Sequence, residues 1–229
     1  MVETTALLGQ ASLFRELRRG DLETVAGWFR EDHFARDRTI FHEGARAARF
    51  WLVESGQVKI VKYGQDGREV VIEVISPGEV FGGATMLMER HPATAVAMSD
   101  ATTQSLSLED YERLLRQYPA VALRVIRALG ERLLGVIGVR VVASQRVEGR
   151  VAHILLKLAS KCGTHEPEGW RITLSLTRQD IADLADTSLE TAIRVMSRFR
   201  KQGWVRTLRG GYVVILDRQA LAQLTQVGE

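Results

Sequence analysis

The sequence predicts an α+β chain: an antiparallel β-domain behind an N-terminal helix, then one long helix, then a C-terminal helix-turn-helix. Three observations carry this expectation. Glycines recur at Gly44, Gly56, Gly67 and Gly78, at steps of 12, 11 and 11 residues, with alternating or apolar runs between them. From Ala120 to Ala143 apolar residues keep a three–four spacing with no proline inside. Leu176 to Gly203 reads as two short helices joined by a turn, the second carrying basic residues away from its apolar stripe. Short strands at even spacing indicate an all-β sandwich or barrel, whereas three–four spacing indicates helices.

In chain order, Ser12 to Phe29 looks helical. The runs FWLVES, QVKIVKYG, REVVIEVI and ATAVAMSD, between Ala35 and Leu108, read as strands. The turns between them are Gln65-Asp66-Gly67-Arg68 and Ser76-Pro77-Gly78, where Asp-Gly and Pro-Gly supply the backbone angles that tight turns need. Met86, Met88 and Met98 are expected to fill gaps in the β core, as a flexible thioether does well. Ser107 can cap a short helix through Leu115, and Pro119 opens the long one.

That long helix carries two stripes. Ala122, Val125, Leu129, Val136, Val139 and Ala143 form one, interrupted by Arg132, with the spacing of a coiled-coil seam. Leu123, Ile126, Leu133 and Ile137 form the second beside it. A helix apolar on two sides must bury both, one over the β-domain and the other against a twin helix, so a homodimer is expected. Gly130, Gly135 and Gly138 each cost about 1 kcal/mol of helix propensity relative to alanine, and they suit either a close approach of two backbones or a change in the winding of the helix.

Within the helix-turn-helix, Thr177 caps the first helix with Asp180 three residues on, a capping box. Ile181, Leu184 and Ala185 share one face. Asp186-Thr187-Ser188 breaks the run, and Ser188 is a second N-cap. Ala192, Val195, Met196 and Phe199 form a new buried stripe, and Glu190, Arg194, Arg198 and Lys201 lie elsewhere on the helix. One face packed on a partner helix and another free to meet base edges and phosphates is what double-stranded DNA requires of such a motif.

Charge placement supports this. The chain of 229 residues has a net charge of only +3. Residues 146–229 hold 13 Lys/Arg against 9 Asp/Glu, while residues 1–145 hold 18 against 19. Positive charge therefore peaks near the second helix, as phosphate binding needs. At 45% hydrophobic content, two separate cores can form. No apolar run is long enough for a bilayer, and MVETTALLGQ lacks the features of a signal peptide, so a cytoplasmic protein with no membrane partner is expected. The single cysteine, Cys162, excludes an internal disulfide and a self-contained iron–sulfur or zinc site of four cysteines. His33, His42, His91, His153 and His165 sit in no motif that demands haem, and exposed loop positions are expected for them. No nucleophile–base pair, paired carboxylates or metal-ligand spacing points to an enzyme.

The order helix, β-domain, long helix, helix-turn-helix resembles the cyclic-AMP receptor and fumarate-nitrate regulator (Crp/Fnr) family of bacterial transcription factors. The marks are Val53-Glu54-Ser55-Gly56-Gln57-Val58, Ser76-Pro77-Gly78-Glu79-Val80-Phe81-Gly82, Val147-Glu148-Gly149-Arg150-Val151-Ala152, Thr177-Arg178-Gln179-Asp180-Ile181-Ala182 and Ser188-x-Glu190-Thr191-x-x-Arg194. Trp204 to Leu208 and Tyr212 to Leu216, joined by Arg209-Gly210-Gly211, would be the wing of a winged helix. The resemblance implies an effector-sensing, cyclic-nucleotide-binding-like β-roll over 1–117, a dimerisation helix over 118–145 and a winged helix-turn-helix over 146–229. It implies a dimeric regulator on a palindromic promoter site, with RNA polymerase as a further partner. A cyclic-nucleotide module serving an enzyme or channel fits less well, given the C-terminal winged helix.

By the same resemblance Glu190 and Arg194 would read a TGA-like half-site. Leu189 stands where the cyclic-AMP receptors carry an arginine, with Ser188 and Thr191 beside it. Arg178, Gln179 and Arg209 are phosphate candidates, followed by Arg198 and Lys201. Asp186 replaces the usual turn glycine, and aspartate tolerates the left-handed conformation. The effector pocket would involve Phe81, Gly82, Gly83, Ala84, Thr85, Ala93, Thr94, Val136 and Ile137. The glutamate that holds the ribose falls at Ala84, the phosphate-binding Arg-Ser pair at Ala93-Thr94, and the adenine-contacting Thr-Ser pair near Val136-Ile137. A buried phosphate without a charge partner is costly, so cyclic AMP is not the expected ligand.

Overall fold

The computed structural model describes residues 2–64, 69–83, 89–143 and 146–225, with the backbone alone along 132–143. The hairpin tip Gln65–Arg68, and Ala84, Thr85, Met86 and Met88, lie outside the described residues. The chain divides into two units, Met1–Lys62 with Ile72–Leu134, and Tyr63–Val71 with Gly135–Glu229.

The first unit opens with α1 (Val2–Gln10), a 3₁₀ turn (Ser12–Phe14) and α2 (Arg19–Ala26). The segment Ser12–Phe29, expected to be helical, is thus interrupted, because Arg18 within it is extended, with ψ of 158°. The break has a packing cause. Leu8, Leu13, Phe14, Val25 and Ala26 all enter one core with Phe50, Leu52, Leu106 and Tyr111, which a straight helix could not arrange.

Among the described residues eight strands follow: β1 (Arg30–Phe34), β2 (Thr39–Phe41), β3 (Arg49–Ser55), β4 (Val58–Tyr63), β5 (Glu69–Ile75), β6 (Val80–Phe81), β7 (Thr94–Ala97) and β8 (Ala101–Ser107). They form two four-stranded sheets, ordered β1-β8-β3-β6 and β2-β7-β4-β5. Successive residues of β3 point to opposite faces, as a pleat demands. Phe50 and Leu52 join the helix-covered core, while Trp51 and Val53 join Val58, Ile75, Phe81 and Ala95 in a second core. The four predicted runs coincide with β3, β4, β5 and β7. The strand β8 escaped the pattern because its sequence, ATTQSLS, is polar. It pairs with β1 on one side and β3 on the other, and Gln104 is only 3% exposed. The Gln104 amide donates to Glu54 at 2.8 Å, which offsets its burial.

The Ser76-Pro77-Gly78-Glu79 turn forms as expected. Gly78 has φ 83°, and Glu79 N–H donates to Ser76 C=O at 3.0 Å, the geometry of a type II turn with proline leading. Ser107 caps α3 (Leu108–Gln117) by accepting from Asp110 N–H at 3.1 Å. Pro119 opens α4 (Pro119–Ala143). Along α4, Val121 is buried and Val125 packs on the helix-covered core, whereas Leu123 and Ile126 are 58% and 63% exposed. The second stripe is therefore open, and Leu129 of the first stripe is 40% exposed as well. Leu129 of the first stripe lines a small cavity with Phe50, Phe81, Gly83, Tyr111 and Val125.

The second unit holds α5 (Val147–Cys162), β9 (Gly163–Glu166), β10 (Gly169–Ile172), α6 (Arg178–Leu184), α7 (Leu189–Lys201), β11 (Val205–Thr207), β12 (Val213–Ile215) and α8 (Arg218–Leu224). The wing pairs Val205 with Ile215, Arg206 with Val214 and Thr207 with Val213. The hairpin β9–β10, unmarked in the sequence, extends it to a four-stranded sheet ordered β11-β12-β10-β9. Cys162 is half-buried, and its thiol donates to Leu158 C=O. Among the described residues no helix is long and apolar enough to cross a membrane.

Candidate nucleic-acid interface and effector pocket

The helix-turn-helix forms where its caps and stripes place it. Thr177 Oγ1 accepts from Asp180 N–H at 3.0 Å, and Asp180 accepts from Thr177 N–H at 2.8 Å, so both halves of the capping box are made. The turn hinges on Asp186, which adopts φ 46°, the left-handed angle foreseen for it. Arg150 of α5 holds this turn from outside. Its Nε donates to Ala185 C=O at 2.9 Å and its Nη2 to Asp186 C=O at 3.0 Å. A cation on the orphan carbonyls at a helix C-terminus is favourable on both hydrogen-bond and dipole grounds.

Ala192, Val195, Met196 and Phe199 anchor α7 in the core. Leu189, Glu190, Arg194, Arg200 and Lys201 are exposed. Ile193 joins them at 44%, one turn after Leu189 at 41%, so α7 carries a short apolar ridge beside its polar face. Arg209 is exposed on the turn between β11 and β12, where Gly210 and Gly211 have φ of 80° and 84°.

Several candidates turn out to be engaged within the domain. Ser188 Oγ accepts from Thr191 N–H and donates to Thr191 Oγ1 at 2.9 Å, so these two hydroxyls serve the cap. Gln179 Nε2 donates to Asp183 at 2.6 Å. Arg178 is half-buried, and its Nη2 donates to Thr207 Oγ1 on β11 at 3.0 Å, joining α6 to the wing. Burial, with the Arg200 charge second, lowers its pKa from the ordinary arginine value. Arg198 pairs with Glu148 of α5, Nη1 to Oε1 at 2.5 Å. Arg150, Glu148 and Thr207 carried no pattern of their own, because their roles depend on elements far away in sequence. Ile193 was legible, since it lies four residues after Leu189 and off the buried stripe.

In the β-domain, Phe81 stacks on Trp51 with centroids 5.4 Å apart, and Trp51 lies 5.2 Å from Phe41. A side chain at Gly82 would meet the Trp51 ring at 2.7 Å, and one at Gly83 would meet Phe50 at 2.6 Å. Both glycines are therefore required by aromatic packing. Ala93 and Thr94 are buried, and Thr94 Oγ1 accepts from Glu43 N–H at 3.0 Å. The side chains of Val136 and Ile137 lie outside the described residues, as do Ala84 and Thr85. The cavity beside Leu129 has a volume of about 30 Å³ and an apolar wall apart from Tyr111, room for little more than one water-sized molecule. Burial pushes the Tyr111 phenol up to about 12.

His91 corrects an expectation. It is not an exposed loop residue but 2% exposed, stacked on Phe41 with centroids 3.6 Å apart. Its backbone N–H and C=O bond to Ala45 and Gly44, which pins the segment. Burial lowers the imidazole pKa from its ordinary value. His33, His42 and His165 are exposed and His153 is half-buried. Among the described residues no group of three or more His, Cys, Asp or Glu side chains could hold a metal ion.

Residues 31–118 match the cyclic nucleotide-binding domain and residues 149–224 the Crp-like helix-turn-helix domain. A CRP-like cAMP-activated global transcriptional regulator of Mycobacterium tuberculosis (strain ATCC 25618 / H37Rv) is 29% identical over 220 residues, 95% of this chain and 97% of that protein. The Global nitrogen regulator of Synechococcus elongatus is 27% identical over 216 residues, 93% of this chain and 95% of that protein. Among solved structures, FixK2 from Bradyrhizobium japonicum shares the fold with a TM-score of 0.78 at 24% identity, covering 88% of this chain and 99% of its own. A CRP-family transcriptional regulator from Thermus thermophilus gives 0.69 at 26% identity, covering 85% and 96%.

Proposed function

Since the chain belongs to the Crp/Fnr family of transcription regulators, we propose that it acts as a homodimer on a palindromic promoter site and does so without cyclic AMP. The observation that carries the DNA reading is the exposure of Glu190 and Arg194 in the first two turns of α7, opposite its buried stripe. Those turns reach base edges when such a helix enters the major groove. Arginine suits the paired acceptors of guanine, and glutamate accepts from the cytosine amino group. Leu189 and Ile193 offer an apolar contact for a thymine methyl. The half-site is TGA-like, repeated as an inverted pair. Lys201 and Arg209 meet phosphates. Arg178 and Gln179 act there through their placement of the first helix and wing.

Dimerisation is supported by Leu123 and Ile126, whose exposure on α4 has no explanation in a monomer. A two-fold dimer presents two identical recognition helices, and a palindrome mirrors that symmetry. The case against cyclic AMP is electrostatic: Ala93, where the phosphate-binding arginine would stand, is buried and uncharged. RNA polymerase is the partner through which such a regulator acts in the cytoplasm.

Selection of duplexes from a random pool tests this reading. The full chain should enrich an inverted repeat with half-sites about one helical turn apart. Arg194→Ala should lose about 1–3 kcal/mol on the enriched duplex and relax preference at one base pair per half-site. An unchanged motif with Arg194→Ala would remove α7 as the reader.

A further inference from the structure

We propose that Glu148 sets DNA affinity by occupying the Arg198 guanidinium in place of a phosphate, withholding one cation of α7 from the DNA backbone. This inference rests on the DNA-binding reading above. Arg198 lies four residues after Arg194, so the two are neighbours on the helix surface. Its side chain is 61% exposed, as a backbone contact requires, yet Nη1 sits 2.5 Å from Glu148 Oε1.

The carboxylate is held there by its own helix. Arg150, two residues on in the first turn of α5, binds the carbonyls of Ala185 and Asp186 and fixes that turn against the junction of α6 and α7. Glu148 is itself 31% exposed, so the pair is open to water and to exchange with another anion. A phosphate approaching Arg198 meets a guanidinium already paired and a carboxylate of its own sign. The contact is lost for every DNA sequence alike, because phosphates carry no sequence information. Arg194 has no such partner among the described residues and keeps its base contact. The pair therefore weakens binding to the operator and to other sequences by the same factor, so it sets affinity and leaves the specificity ratio unchanged.

The test is the salt dependence of binding to a mixed-sequence duplex, where the slope counts neutralised phosphates. It needs no palindrome, so a failed site selection would leave it readable. Glu148→Gln keeps the shape and removes the charge. It should steepen the plot of log K against log salt by about 0.9 and tighten binding roughly five-fold near 0.15 M salt. Arg198→Ala in the native background should leave the slope nearly unchanged, and adding it to Glu148→Gln should abolish the gain. A slope unchanged by Glu148→Gln, or one made shallower by about 0.9 by Arg198→Ala alone, would overturn the proposal. If Glu148→Gln lowers the melting temperature too far for binding to be measured, the Arg198→Ala slope decides.

Discussion

At the scale of single residues, neighbours supplied by the fold reassign side chains that share a chemical type. Arg150, Arg178, Arg194 and Arg198 are alike in sequence. One caps carbonyls at the α6–α7 turn, one ties α6 to the wing, one stands open on α7 and one is paired with Glu148. His91 is a further case. A buried imidazole held neutral against Phe41 has a pKa below its ordinary value. Above about pH 6.5 the group is neutral both folded and unfolded, so it costs nothing there. As pH falls below that value the unfolded chain takes up the proton first, and stability drops until the folded value is passed. His153 is shifted the same way, by burial and then by Lys157, and adds to the effect. Urea unfolding between pH 7.5 and 5.5 should therefore show a falling midpoint for the native chain. The fall should be smaller in His91→Phe, which keeps the aromatic stack. An equal fall in both would remove His91 as its source.

At the scale of elements, packing decides which side of a helix is free. The two stripes of α4 are equivalent by hydropathy, but Val121 and Val125 face the core and Leu123 and Ile126 do not. Glutamate at both Leu123 and Ile126 should therefore leave the β-domain folded and convert the dimer to monomer, read by light scattering. Palindrome affinity should fall by at least an order of magnitude, because the two half-sites would no longer be bound as one. A native chain that runs as a monomer at micromolar concentration would end the dimer reading. The same logic explains β8, where Gln104 is buried because Glu54 and Glu31 accept from its amide and Ser105 because its hydroxyl donates to Arg30 C=O, while the Thr103 hydroxyl is buried without a partner among the described residues.

At the scale of the whole molecule, two units with different charge carry different duties. Basic residues gather in 146–229, and the aromatic stack Phe41–Trp51–Phe81 with His91 lies in the β-domain. A cyclic nucleotide entering there would have to set its phosphate beside Ala93 and Thr94, and the Thr94 hydroxyl already accepts from Glu43. Calorimetry with cyclic AMP should show no binding tighter than about 0.1 mM, a free energy near −5.5 kcal/mol. Micromolar binding would mean that a cation reaches the phosphate from elsewhere in the chain.

The sequence by itself determined the architecture and the place of the helix-turn-helix. Glycine spacing, the proline at 119, the caps at Ser107, Thr177 and Ser188, and the stripe Ala192–Phe199 are local signals, and local backbone chemistry is enough to obey them. Asp186 belongs with these, since a left-handed turn residue is chosen by its own side chain. Only the tertiary structure decided what depends on contacts between distant residues. It interrupted the helical segment Ser12–Phe29 to bring its apolar residues into one core, buried ATTQSLS as a central strand, stacked His91 on Phe41, and set Glu148 against Arg198. Each of these is a pairing across the chain, and no periodicity within a segment records which partner the fold will bring to it.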